Sequence, residues 1–129
     1  MQIGKLAKAV NCHIETVRYY EKVGLLSPPR RKHNGYRDYT QSHLQHLRLI
    51  RRARSLGFSQ DEVRSLVELT NVNDNPCDKV HDMALQQLNV INGKLKEMQG
   101  MKKALRKLAD ACETDDHENC PVLDELIAE

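Results

Sequence analysis

Four cysteines stand at positions 12, 77, 112 and 120, and two of them, Cys112 and Cys120, bracket the segment ETDDHEN. That segment sets His117 among Asp115, Asp116 and Glu118. Thiols at this spacing can do two kinds of chemistry. Deprotonated, they ligate a soft or borderline metal ion. Oxidised, they close a reversible disulfide. Coincidence is the third reading. Cys120 precedes Pro121 and the apolar Val122, Leu123 and Leu126, the pattern of a short helix with the cysteine at its N-terminus. Cys77 follows Pro76 at the head of a long periodic stretch. Backbone N–H groups and the helix dipole favour a thiolate at both places, which serves metal binding and oxidation equally. His117 is either a solvated residue of an acidic loop or a further ligand. Cys12 stands apart and is expected to pack, and His33, His43, His46 and His81 form no ligand-like group.

The setting of these thiols narrows the choice. No leader-like apolar segment opens the chain and no run of about 18 apolar residues could span a bilayer. The expected compartment is the reducing cytoplasm, where cysteines serve as free thiols, ligands or sensors rather than structural disulfides. At 129 residues, with no Trp and 4% aromatic content, one modest core is expected. The net charge of +2 conceals two halves. Residues 1–70 carry 13 Lys/Arg against 6 Asp/Glu, and residues 71–129 carry 7 against 12. The front half suits a polyanion and the back half does not.

The elements that must hold these groups read as helices. Ile3, Leu6, Ala7 and Val10 mark one short amphipathic helix. Ile14 to Tyr20 mark a second, ending near Gly24, so the pair has helix-turn-helix form. Pro28 and Pro29 stop the helix, Asn34-Gly35 signals a hairpin turn, and Tyr36 to Tyr39 alternate as a strand would. In this wing Arg30, Arg31, Lys32 and Arg37 can meet phosphates. Tyr36 is assigned to DNA and Tyr39 to packing. Thr40 caps a third helix that ends at Gly57, and Ser59-x-x-Glu62 is the capping box of a fourth. After Pro76, Ala84, Leu88, Ile91, Leu95 and Met98 repeat at 4, 3, 4, 3, then Met101, Leu105, Leu108 and Cys112 at 4, 3, 4. This is a coiled-coil seam, and it implies a second copy of the chain, the alternative being a helix folded back on its own domain.

The segments IGKLAKAV, ETVRYYEKVGLL, NGYRDYT and LRLIRRARSLGFSQDEVRSL, in that order before a long helix, resemble the MerR family of bacterial transcription regulators. The resemblance spans essentially the whole chain. It implies a mainly α fold in four parts. Residues 1–70 are a winged helix-turn-helix DNA-binding domain and 71–75 a linker. Residues 76–111 are the dimerisation helix of an antiparallel coiled coil, and 112–129 a metal-binding loop with a short C-terminal helix. It also implies a homodimer on double-stranded promoter DNA, working with RNA polymerase and bound between the two promoter elements. Carried over by position, Arg18 and Tyr19 of the second helix, Tyr36 and Arg37 of the wing, and Arg54 of the third helix are DNA contacts. His13 departs from the pattern, standing where relatives have Ser or Thr.

With antiparallel helices implied, the thiols can be placed. Cys77 and Cys112 are 35 residues apart, roughly 50 Å of helix, so one chain cannot join them. Two opposed helices can, setting the partner subunit's Cys77 beside the loop from Cys112 to Cys120. Three thiolates, with His117 or a carboxylate as a fourth donor, suit a divalent ion such as Zn, Cd, Pb or Hg. The spacing of Cys112 and Cys120 is similar to that of the copper-sensing branch, which holds Cu(I) linearly. That branch usually has Ser at position 77, and branches sensing divalent ions have Cys. The expected function is a metal-responsive activator that distorts promoter DNA on binding a divalent ion, with a Cu(I) sensor as the alternative and a thiol redox sensor as the second. An iron–sulfur protein lacks its usual cluster of four cysteines. No enzyme is expected, since no nucleophile–base pair can be placed.

Overall fold

A computed structural model describes residues 1–71, 75–113 and 120–128. Among these the order is α1 (Ile3–Ala9), α2 (Ile14–Lys22), β1 (Arg30–Arg31), β2 (Arg37–Asp38), α3 (Gln41–Ser55), α4 (Gln60–Leu69), α5 (Pro76–Glu113) and α6 (Pro121–Ile127). The architecture is the mainly helical one expected, with helix-turn-helix, a small antiparallel wing and a long helix. The chain divides into two compact units, Met1–Met83 and Ala84–Glu129.

The first unit is built on a core in which Leu6, Val17, Leu26, Tyr39, Leu47, Ile50 and Val63 are almost wholly buried. These come from α1, α2, the wing and both following helices, so one apolar cluster fixes the elements of this unit together. Helix ends set the angles. After α2, the Gly24 N–H donates to Glu21 O and the Leu25 N–H to Tyr20 O at 2.9 Å. That pair of bonds is a Schellman closure, and it needs the left-handed backbone of Gly24, φ +80°. α3 ends the same way: the Gly57 N–H bonds Arg54 O and the Phe58 N–H bonds Ala53 O. In the helix-turn-helix, Asn11 takes the left-handed position at φ 56°, and the Cys12 N–H reaches Ala7 O at 3.0 Å. Asn tolerates that conformation better than other non-glycine residues.

Helix starts are equally specific. Ser59 and Glu62 form the expected capping box, each side chain bonding the other's backbone N–H. Thr40 caps α3, but its reciprocal partner is His43. His13, at the start of α2, makes no side-chain cap bond. In the wing, Arg30 pairs with Asp38 and Arg31 with Arg37. The Met1 ammonium bonds Asp38 Oδ1 at 2.8 Å and the Tyr39 carbonyl, while the Tyr39 N–H donates to Met1 O. The first residue is thereby stitched to the second strand.

In the second unit the seam residues Leu88, Ile91, Leu95, Met98, Met101 and Leu105 are all exposed, Leu105 by 65%. α6 likewise exposes Leu123, Leu126 and Ile127.

Candidate nucleic-acid interface and metal centre

α2 buries Val17 and Tyr20 in the core, which by helical spacing turns Arg18 and Tyr19 outward. Tyr19 is half exposed, and its hydroxyl accepts a hydrogen bond from the Gln60 side chain at the start of α4. The wing presents Tyr36, 60% exposed, while Tyr39 is buried to 2% and packs, as expected from its alternation. Between α2 and the wing lies a cleft of about 350 Å³ whose walls include Arg18, Lys22, Arg31 and Arg37. Four cations, with the Glu21 carboxylate among them, line one concavity, an arrangement that can attract phosphates.

Besides Tyr19, two of the expected DNA contacts already have protein partners. Arg37 Nη1 donates to Glu21 Oε2 at 2.9 Å, an ion pair joining wing to α2. A hydrogen bond with Tyr39 and the Glu21 charge push the Arg37 guanidinium pKa up. Arg54 Nη1 donates to Phe58 O at 2.8 Å and so closes the turn after α3 while its side chain stays near the surface. Arg64 binds the α2 terminus through Val23 O at 2.7 Å and pairs with Asp61 on its own helix.

Glu21 and His43 are two residues that the sequence pattern did not single out. Glu21 also accepts from the Tyr39 hydroxyl at 2.7 Å. Burial and this bond to Glu21 push the Tyr39 phenol pKa up. His43 is buried against Tyr39, edge to face. Its Nδ1 accepts from the Thr40 N–H at 3.0 Å, so Nε2 carries the proton and donates to Ser27 O at 3.1 Å. The signal was present as Thr40-x-x-His43, a capping box with imidazole in place of the usual Glu or Gln.

Of the sulfur positions, Cys112 and Cys120 are brought together. Desolvation, and then its interaction with Cys120, raise the Cys112 thiol pKa. Cys120 makes no side-chain cap hydrogen bond at the α6 N-terminus, but the nearby Leu123 and Val122 N–H groups favour a negative sulfur and lower its own pKa. Both side chains are exposed, and Cys120 is the N-cap residue of α6. Two adjacent thiols, one stabilised as thiolate by backbone donors, are a donor set that fits a soft or borderline metal ion. Among the described residues no group of three metal-ligating side chains occurs within one chain. His117 lies outside the described residues. Cys77 is exposed in the first turn of α5, and Cys112 sits in its last turn. Cys12 is partly buried against the core and its thiol pKa is raised by that burial, with Arg51 opposing.

Residues 1–70 match the family model described as MerR HTH family regulatory protein, and residues 44–108 match MerR, DNA binding. The HTH-type transcriptional regulator CueR of Escherichia coli O157:H7 is 39% identical over 126 residues, 98% of this chain and 93% of that protein. The crystal structure of PbrR691 from Ralstonia metallidurans CH34 in complex with lead(II) superposes with a TM-score of 0.84 at 33% identity, covering 98% of each chain. That of MerR from Bacillus megaterium MB1 in complex with mercury(II) gives 0.78 at 28% identity, covering 99% of this chain and 100% of the other.

Proposed function

We propose, from the premise that this chain belongs to the MerR family of helix-turn-helix regulatory proteins, that it is a homodimeric activator switched by a divalent metal ion. Like its relatives it is a DNA-binding transcription regulator and not an enzyme. The observation that carries the metal reading is the meeting of Cys112 and Cys120 at the N-terminus of α6. The exposed stripe from Leu88 to Leu105 supports the dimer, because burying each such side chain is worth about 1.5–3 kcal/mol. In an antiparallel pair the partner subunit's Cys77 becomes the third thiolate and His117 a fourth donor.

A soft divalent ion held there supplies a cross-link between the loop of one subunit and the long helix of the other. Zn, Cd, Pb and Hg all suit three thiolates. The lead(II) and mercury(II) complexes of the two similar structures favour that group. The helix-turn-helix and wing then grip promoter DNA through Arg18, Tyr19, Tyr36, Arg37 and Arg54. Metal binding would shift the population between two dimer shapes, one of which bends and untwists the duplex for RNA polymerase. No described helix is long and apolar enough to cross a membrane, and we assign the dimer to the cytoplasm, where its promoter lies.

A second reading, a Cu(I) sensor, is favoured by one observation. Within one chain the described thiols come as a pair, and a pair is what a two-coordinate ion takes. Competition among Zn, Cd, Pb, Hg and Cu(I) for the purified dimer tests the choice: nanomolar or tighter preference for a divalent ion is expected, and exclusive capture of Cu(I) contradicts it.

A further inference from the structure

The Glu21 side chain is only 11% exposed, yet it lies in the last turn of the helix that carries the exposed Arg18 and Tyr19. Two donors hold its carboxylate, Arg37 Nη1 at 2.9 Å and the Tyr39 hydroxyl at 2.7 Å. Both come from the wing strand and its end. A carboxylate so enclosed is tolerable only with a cation and donors in place, since an unpaired buried charge costs several kcal/mol. Arg37 is therefore not a free arm. Its guanidinium is tied down on one side while the other helps to wall the basic cleft with Arg18, Lys22 and Arg31.

We propose that Glu21 is a specificity-determining residue for DNA binding, acting through Arg37. Phosphate contacts attract any sequence, whereas specificity needs the base-reading helix and the wing held in one register. Glu21 does two things toward that end. It locks Arg37 to α2, so helix and wing meet the duplex as one body. It also offsets part of the cation charge that an arbitrary phosphate backbone would exploit. The inference rests on the DNA-binding reading above.

The test uses the full-length chain and two duplexes of equal length, one enriched by the wild-type protein from a randomised library and one a scramble of it. Affinities are measured against salt for wild type, Glu21→Gln, Arg37→Gln and the double variant. Glu21→Gln should bind the scramble several-fold more tightly, with a log K versus log[salt] slope steeper by up to about 0.9, one phosphate's worth. Its preference for the enriched duplex should fall, and the change should vanish in the Arg37→Gln background. An unchanged slope and preference in Glu21→Gln, or the same change without Arg37, would each overturn the proposal. If wild-type protein enriches no sequence at all, the DNA-binding reading fails and takes this inference with it; enrichment followed by unaltered variants defeats the inference alone.

Discussion

Cys112 and Cys120, eight positions apart in sequence, interact through their side chains, and their thiol acidities are shifted in opposite directions. Nearby Leu123 and Val122 N–H groups shift the Cys120 pKa downward, whereas desolvation and then the neighbouring Cys120 shift that of Cys112 upward. Two adjacent sulfurs offer a soft ion a pair of donors, and each thiol that is still protonated releases its proton on binding.

DNA binding gives the first prediction. Arg18→Ala should cost about 1–3 kcal/mol of affinity for the enriched duplex, since charge-assisted contacts to phosphate or base are the strong ones. Tyr36→Phe should cost less, because it removes one exposed hydroxyl. Dimerisation should be unchanged in both. Electrophoretic shifts across several salt concentrations check this, and wild-type affinity in both variants contradicts it.

Local signals made much of this fold legible. Pro76 opens α5, Ser59-x-x-Glu62 opens α4, and Tyr39 is buried where its alternation with Tyr36 placed it. Each of those depends on neighbours within a few positions. What was not legible depends on tertiary closure. Glu21 and Arg37 are 16 positions apart, on different elements, and nothing in either local pattern says that they pair. His43 hid for another reason, because imidazole is an unusual replacement for the carboxylate of a capping box. Arg54 reads as a surface cation, yet it spends one donor on its own helix terminus. In the candidate metal site the Cys112–Cys120 meeting follows from sequence proximity, whereas Cys77 belongs to the expectation drawn from the family's antiparallel helices.

The long helix supplies the second prediction. Leu95 is half exposed in the single chain and lies mid-seam. Leu95→Asp should place an unpaired charge against the partner and cost several kcal/mol of dimer stability. Sedimentation at micromolar concentration should find monomer; an intact dimer would contradict the seam.

The α4 capping box yields a prediction in pH. Glu62 accepts from the Ser59 N–H at 3.0 Å, and the bonds from Ser59 lower its carboxyl pKa. A depressed carboxyl pKa adds stability that is present above the ordinary glutamate value, about 4.3, and is lost as pH falls through the folded value. The melting temperature of Glu62→Gln should therefore lie below wild type at pH 7 and converge on it below about pH 4. Ser59→Ala, which removes the cap itself, should cost about 1 kcal/mol. Melting curves over a pH series check both, and a Glu62→Gln deficit that does not change with pH would contradict the assignment.

Loss of either paired thiol gives the next prediction. Cys112→Ser and Cys120→Ser should each abolish metal-induced transcription while leaving metal-free DNA binding intact, because a serine hydroxyl stays protonated and is a poor ligand for a soft ion. Run-off transcription with and without metal, alongside shifts of the enriched duplex, reads the two properties separately. Metal-induced transcription in either variant would remove that sulfur from the site.

The most direct measurement is a titration of wild-type and Cys77→Ser dimers with cadmium(II) and with Cu(I), followed by thiolate-to-metal charge-transfer absorption and by metal competition. The three-thiolate site predicts that Cys77→Ser loses most of its cadmium affinity and part of its charge-transfer band while Cu(I) binding persists. Cadmium affinity and absorption equal to wild type in Cys77→Ser would contradict a divalent site completed across the dimer and leave the paired Cys112 and Cys120 as a Cu(I) site.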